Sequence, residues 1–156
     1  MTRRSAGILL YRLVPEPEVL IAHMGGPFWA RKDAGAWSIP KGEFDPETES
    51  AWDAAQREFE EELGVRAPVG EEVELGTFAY ASGKTVTVFL LDGAGFTASG
   101  FVFGTFELEW PPRSGRLQAF PEVDRAEWTD LKTARDRLVK GQRPALDTLL
   151  ARLSRD

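Results

Sequence analysis

Residues 42–65, GEFDPETESAWDAAQREFEEELGV, hold a helix with both ends signalled and three carboxylates in one short arc. Ser50 suits an N-cap, Asp53 follows three residues later and Gly64 stands directly after the last helical position, so a helix is predicted over 50–63. On a wheel of about 100° per residue with Glu58 at zero, Glu61 falls near −60° and Glu62 near +40°. On the same wheel Ala55, Phe59, Trp52 and Leu63 lie between about +60° and +140°, which makes them the core stripe. The three carboxylates therefore border the buried face, while Glu60 and Asp53 point away. Like charges at i, i+3 and i, i+4 cost roughly 0.2–0.5 kcal/mol per pair, so the 58–61 and 58–62 pairs call for compensation. A hard divalent cation, Mg²⁺ or Mn²⁺, compensates through carboxylate, carbonyl and water oxygens. The ordinary alternative for such a run is a solvated acidic face.

Composition narrows the chemistry around that helix. A chain of 156 residues with 42% hydrophobic and 28% charged residues is long enough for one compact domain over 1–156 with a sizeable core. Its formal charge of −6 argues against generic nucleic-acid binding through a basic face, so a phosphate-bearing ligand needs a few local cations or a metal. Having no Cys and a single His, the chain lacks the residues for disulfides, iron–sulfur clusters, thiol nucleophiles and zinc clusters. A bound metal must therefore sit on oxygen. The apolar run from Ala6 to Tyr11 is shorter than a signal-peptide core, and no stretch approaches the roughly 18–20 residues of a membrane span. A soluble, cytoplasmic protein is the expectation.

Outward from the helix, residues 5–13 and 18–23 read as strands joined through Val14-Pro15-Glu16-Pro17. The segment Gly25–Pro46 is rich in Gly and Pro with interleaved aromatics and reads as a long irregular, functional loop. Val73–Tyr80 and Thr85–Leu91 flank Ala-Ser-Gly-Lys as a hairpin, Phe101–Trp110 reads as a further aromatic strand and Arg125–Trp128 as a short one. Helical segments near 130–139 and 144–153 close the chain. Strands and helices without regular βαβ alternation predict an α/β (mixed α+β) fold, a mixed sheet packed by helices rather than a doubly wound unit.

Read as spaced positions, the same stretch resembles the Nudix box, G-x5-E-x7-R-E-U-x-E-E-x-G-U, where U is aliphatic or aromatic. Glu49 is followed after seven residues by Arg57-Glu58-Phe59, then by Glu61-Glu62 and Gly64-Val65 at the required gaps. The loop departs from the pattern, because six residues rather than five separate Gly42 from Glu49. That leaves the geometry of the Gly42 carbonyl open and the helix untouched. The resemblance implies a Nudix-type α/β/α sandwich and a Mg²⁺- or Mn²⁺-dependent pyrophosphohydrolase in which water attacks phosphorus. It implies Glu61 and Glu62 as principal metal ligands, Glu58 as a further ligand or the group activating water, and the Gly42 carbonyl as a possible fourth donor. Arg57 is implied to position these carboxylates, with Glu49 as its partner or as a turn cap, a task suited to a guanidinium fork. Family members also recruit a Glu from a loop beyond the box as ligand or base. Glu122, between Pro121 and the strand at 125–128, is the first candidate, ahead of Glu127 and Asp124.

Trp37-Ser38-Ile39-Pro40-Lys41-Gly42 is similar to the W-x-x-P-K-G approach of dinucleoside and diphosphoinositol polyphosphate hydrolases, which makes Lys41 a phosphate contact. Tyr80 stands near the position of a Tyr typical of the dinucleoside branch. Trp29 and Phe28 are candidates to stack a base, and Arg31, Lys32, Lys84, Arg113 and Arg116 are the loop cations available to phosphates. His23 reads as structural. The substrate implied is a small nucleotide, first a dinucleoside polyphosphate such as diadenosine tetraphosphate. Alternatives are a nucleoside triphosphate, a diphosphoinositol polyphosphate, or a nucleotide-binding regulator without turnover. Oligomeric state is not legible.

Overall fold

The computed structural model describes residues 3–154 of the chain expected to form one domain over 1–156. Strands β1 (Arg4–Val14) and β2 (Glu16–Met24) form an antiparallel hairpin that pairs only over its closed end, from Tyr11↔Val19 to Val14↔Glu16. Beyond that the two strands diverge. The fork is filled by β3 (Trp37–Ser38), which pairs with β2 at Ala22 and His23, and by β4 (Lys41–Glu43), which pairs with β1 at Ser5–Gly7. Two short strands thus occupy a segment expected to be irregular. Gly7 permits this approach, because a Cβ there would stand 2.6 Å from both Lys41 Cβ and the Pro40 carbonyl oxygen.

Helix α1 (Ala51–Leu63) follows, with the Ser50 side chain accepting from Asp53 N–H and Gly64 in the left-handed region at φ 73°. Next come the hairpin β5 (Val73–Ala79) and β6 (Thr85–Asp92), the separate ribbon β7 (Thr105–Glu109) and β8 (Leu117–Pro121), and β9 (Val123–Asp130). Helices α2 (Leu131–Arg137) and α3 (Arg143–Leu153), with a 3-10 turn at Lys140–Gln142 between them, end the described chain. The main sheet runs β3-β2-β1-β6-β5, with β4 on β1 and β9 on β2. Its β1–β6 pair is parallel and its hairpins antiparallel.

Both faces of this sheet are covered, which is why its central strands read as near-continuous apolar runs rather than as alternation. Ile8, Leu10, Leu20, Ala22, Phe89 and Leu91 face α1 and meet Ala54, Ala55, Phe59 and Leu63. Their neighbours Leu9, Val19, Ile21, Val88 and Leu90 face the opposite layer of Trp37, Ala134, Leu138, Leu146 and Leu149. The result is the α/β/α sandwich expected from the sequence.

Three boundaries differ from the sequence reading. Only Thr105–Glu109 of the segment 101–110 is a strand. Ahead of it, Val102 and Gly104 donate their N–H groups to the Leu63 and Glu62 carbonyls at 2.9 and 3.3 Å, satisfying the open end of α1. Strand β8 was not anticipated, since Leu117, Gln118 and Ala119 are all exposed and carry no burial pattern. Helix α2 stops at Arg137 rather than 139, because Leu138 turns extended beside β3 and the Val139 N–H donates to the Trp37 carbonyl at 2.9 Å.

Phe59 is fully buried under the sheet, edge-on to Phe96 at 6.0 Å. Phe59→Ala is expected to lower the free energy of unfolding by about 3–5 kcal/mol, read from urea denaturation followed by circular dichroism.

Candidate active site

The site is assembled around Arg57, on the edge of α1. Its Nε and Nη2 donate to Glu49 Oε2 and Oε1, both at 2.8 Å, and its Nη1 donates to Glu58 Oε1 at 2.8 Å and to both Glu61 oxygens at 3.3 Å. Hydrogen bonding to Arg57 holds the Glu49 carboxyl below its usual range, and the Glu49 and Glu58 contacts raise Arg57 above its own. Glu49 thus pairs with Arg57 across the turn, despite the longer loop. That loop closes locally, with Glu49 N–H on the Asp45 carbonyl at 3.0 Å and Glu47 N–H on Asp45 Oδ1 at 2.9 Å.

Glu58 lies against β4. A Cβ at Gly42 would fall 2.0 Å from the Glu58 Cδ, so the glycine is what allows the carboxyl to reach the strand. Burial raises the Glu58 carboxyl above its usual range against the opposing pull of Arg57, with the Glu61 and Glu122 charges adding to the rise. One turn on, burial pushes Glu62 up to about 8, opposed by the Lys41 charge and reinforced by Glu122 and Glu58. Glu122, between β8 and β9, is anchored through its backbone: its N–H donates to the Gly104 carbonyl at 2.8 Å and its carbonyl accepts from Gly25 N–H at 2.9 Å. Gly104 in turn donates to the Glu62 carbonyl, so the helix end positions the late carboxylate.

Glu58, Glu62 and Glu122 share one cleft of about 440 Å³ with Lys41, Gly42, Glu43, Ser5, Tyr80 and Lys84. Glu61 is exposed on the far side of Arg57 and does not line it. Tyr80 sits at the rim with its ring against Gly141, and its hydroxyl accepts from Gln142 Nε2 at 3.0 Å. Burial raises this phenol above its usual range. The turn after it brings Lys84 to the same wall, with Tyr80 N–H donating to the Lys84 carbonyl at 2.8 Å.

Other expected contacts lie elsewhere. Trp29 packs on the core layer beneath α2 and α3, with Lys32 Nζ 5.4 Å from its ring centroid, and is absent from the cleft lining. Phe28 is exposed but stacks edge-on to Trp110 at 5.5 Å. Arg116 stands at the far end of the β7–β8 ribbon, its carbonyl accepting from Trp110 N–H, roughly five strand residues or 17 Å of rise from the Glu122 end. Arg113 lies in the turn at that same end, and Arg31 is exposed in the 25–36 loop. His23 is wholly buried between Asp124 Oδ1 at 2.8 Å and the Lys32 carbonyl at 2.6 Å, a structural role as expected. Sequence reading missed Ser5 and Glu43. The glycine at position 7, inside an apolar strand, was the available signal that another backbone comes close there.

The donor set suits an oxygen-preferring divalent cation. Beyond burial, the Glu122 charge adds to the rise of both Glu58 and Glu62, and the Glu58 charge adds to that of Glu62, a repulsion that a cation among them relieves. Among the described residues, no three acidic or histidine side chains already converge as a closed cage.

Because the raised Glu62 keeps its proton in the folded state after the unfolded chain has released it, the metal-free protein loses stability as pH rises from the usual 4.5 to about 8. Glu62→Gln is expected to flatten that decline, giving a higher melting temperature than wild type at pH 8 in chelator and little difference at pH 4. Thermal scans across this range check it.

Over residues 1–149 the chain matches the NUDIX domain family. No curated protein matches it. Among solved structures it resembles the Ap4A hydrolase of C. elegans in a binary complex, at 22% identity and a TM-score of 0.62 over 97% of this chain and 99% of that one. It likewise resembles the MutT protein of Methanosarcina mazei Go1, at 20% identity and a TM-score of 0.61 over 99% and 96%. A third is the NUDIX domain of Shewanella oneidensis NrtR complexed with ADP ribose, at 14% identity and a TM-score of 0.64 over 98% and 89%. At these identities the likeness concerns the fold, which agrees with the mixed sheet and the helices described above. With the family matched over nearly its whole length, the chain belongs to the NUDIX family.

Proposed function

We propose that this Nudix-family enzyme hydrolyses a phosphoanhydride bond of a nucleoside polyphosphate, with Mg²⁺ or Mn²⁺ held by Glu58 and Glu62 and with Glu122 facing the same cleft as base. The observation that carries this reading is that four carboxylates, Glu43, Glu58, Glu62 and Glu122, line one cleft together with Lys41 and Lys84. Carboxylates alone repel a polyphosphate, and lysines alone do not activate water. A divalent cation supplies charge neutralisation on the phosphate oxygens and lowers the pKa of water. Lys41 and Lys84 then take the remaining phosphate charge, Arg57 holds Glu58 in place, and Tyr80 bounds the rim. Glu61, held at 3.3 Å by Arg57, must exchange that contact to join the ligand set.

Among the carboxylates, Glu122 is assigned as the base. It makes no side-chain hydrogen bond among the described residues, whereas Glu58 is held by Arg57. A water molecule loses its proton to Glu122, its oxygen bonds to phosphorus, and the bridging oxygen leaves with the departing phosphate. Glu122→Gln is expected to lower kcat by about 10²–10⁴ with little change in melting temperature, and to erase the acidic limb of the pH–rate profile. A superimposable profile returns the base role to Glu58.

The substrate proposed first is a dinucleoside polyphosphate, supported by the Trp37–Gly42 approach, by Tyr80 at the rim and by the likeness to an Ap4A hydrolase. The likeness to a MutT protein keeps nucleoside triphosphates in view, and that to an ADP-ribose-bound NrtR domain keeps a binding regulator. Diphosphoinositol polyphosphates suit the −6 chain least. A hydrolysis screen over these classes with and without Mg²⁺, with products identified, is expected to give cation-dependent turnover highest on dinucleoside polyphosphates. Binding without turnover would favour the regulator. No described helix is long and apolar enough to cross a membrane.

A further inference from the structure

Gln142 ends the 3-10 turn before α3 and is fully buried, in a part of the chain remote in sequence from every box residue. Its side-chain amide is used on both ends. Oε1 accepts the Ile39 N–H at 2.9 Å, and Nε2 donates to Ser38 Oγ at 2.8 Å and to the Tyr80 hydroxyl at 3.0 Å. The Ser38 hydroxyl in turn donates to the Ile39 carbonyl at 2.8 Å. One amide therefore grips the backbone just ahead of Pro40-Lys41-Gly42 and, at the same time, the tyrosine whose N–H donates to the Lys84 carbonyl.

A buried amide must be paired, and pairing alone does not require that its partners come from any particular element. These partners instead belong to the two walls that carry the cations of the cleft, Lys41 on β4 and Lys84 on the β5–β6 turn. Gly141, next to it, is equally specific, since a Cβ there would stand 2.1 Å from Tyr80 Cδ1. We propose that Gln142 is a positioning residue that sets the spacing between the Lys41 and Lys84 walls, and thereby the grip on the substrate's phosphates. It touches no substrate and acts through Ile39 and Tyr80. The kinetic part of this inference rests on the proposed hydrolysis.

Gln142→Met keeps the volume and removes the polar ends, Tyr80→Phe removes one bond, and the double variant removes both. Leu149→Ala, a cavity in the same core layer and outside the cleft, serves as the stability control. Below the melting transition of all four, Gln142→Met is expected to raise KM for the nucleoside polyphosphate roughly 10-fold, with a smaller fall in kcat. Tyr80→Phe should give part of that rise, and the double variant no more than Gln142→Met, because the two residues share one bond. Leu149→Ala should keep wild-type kinetics. Hydrogen exchange supplies the second readout: amides of Ile39 to Glu43 should exchange faster in Gln142→Met than in Leu149→Ala. Equal KM and kcat in Gln142→Met and Leu149→Ala, or equal exchange over that segment, overturns the proposal. If the wild-type protein hydrolyses no polyphosphate, the hydrolysis reading fails and the exchange comparison alone decides the positioning claim.

Discussion

The Arg57 fork is the contact on which the rest of the site depends. Glu58 and Glu61 on one edge of α1 and Glu49 in the turn before it all lie within reach of Arg57, and without a cation among them their mutual repulsion would splay them apart. A guanidinium answers with fixed planar geometry, taking both Glu49 oxygens and leaving Nη1 for Glu58 and Glu61. Lysine offers the charge without the fork. With Glu58 pinned on one side by Arg57 and on the other by the bare Cα of Gly42, the carboxyl has little freedom. The helix is thus registered against β4, and β4 against β1.

A second constraint comes from the end of the same helix. Its open carbonyls at Glu62 and Leu63 are taken by Gly104 and Val102, and Gly104 in turn receives the Glu122 N–H. Satisfying a helix terminus, a general necessity, here delivers a carboxylate from some sixty positions away to the face of Glu62. Burial and like charge raise Glu58 and Glu62, and only Lys41 pulls Glu62 the other way.

Much of this was legible in the sequence, for identifiable reasons. Helix α1 carries its own start and stop signals, and its carboxylate arc follows from the helical period alone. The mixed sheet packed by helices was legible from the order of strands and helices, and its two-sided covering from the resemblance that the box residues carry. What escaped was governed by partners far along the chain. Residues 101–104 have strand composition but serve a helix end, and β8 lacks a buried face altogether. Trp29 and Arg116 have the chemistry of ligand contacts, but composition does not say which face a loop packs on or how far a ribbon projects. Gln142 meets Ile39 across 103 positions, and nothing local marks it.

The central claim is that Glu58, held by Arg57, forms a cation site with Glu62. A Mn²⁺ titration followed by electron paramagnetic resonance tests it most directly. The account predicts that wild-type protein depletes the free Mn²⁺ signal at pH 7.5, that Glu62→Gln weakens binding, and that Arg57→Ala weakens it about 10–100-fold as the loss of an orienting partner. Undiminished free Mn²⁺ in the presence of wild-type protein, or equal affinity in all three, would contradict it.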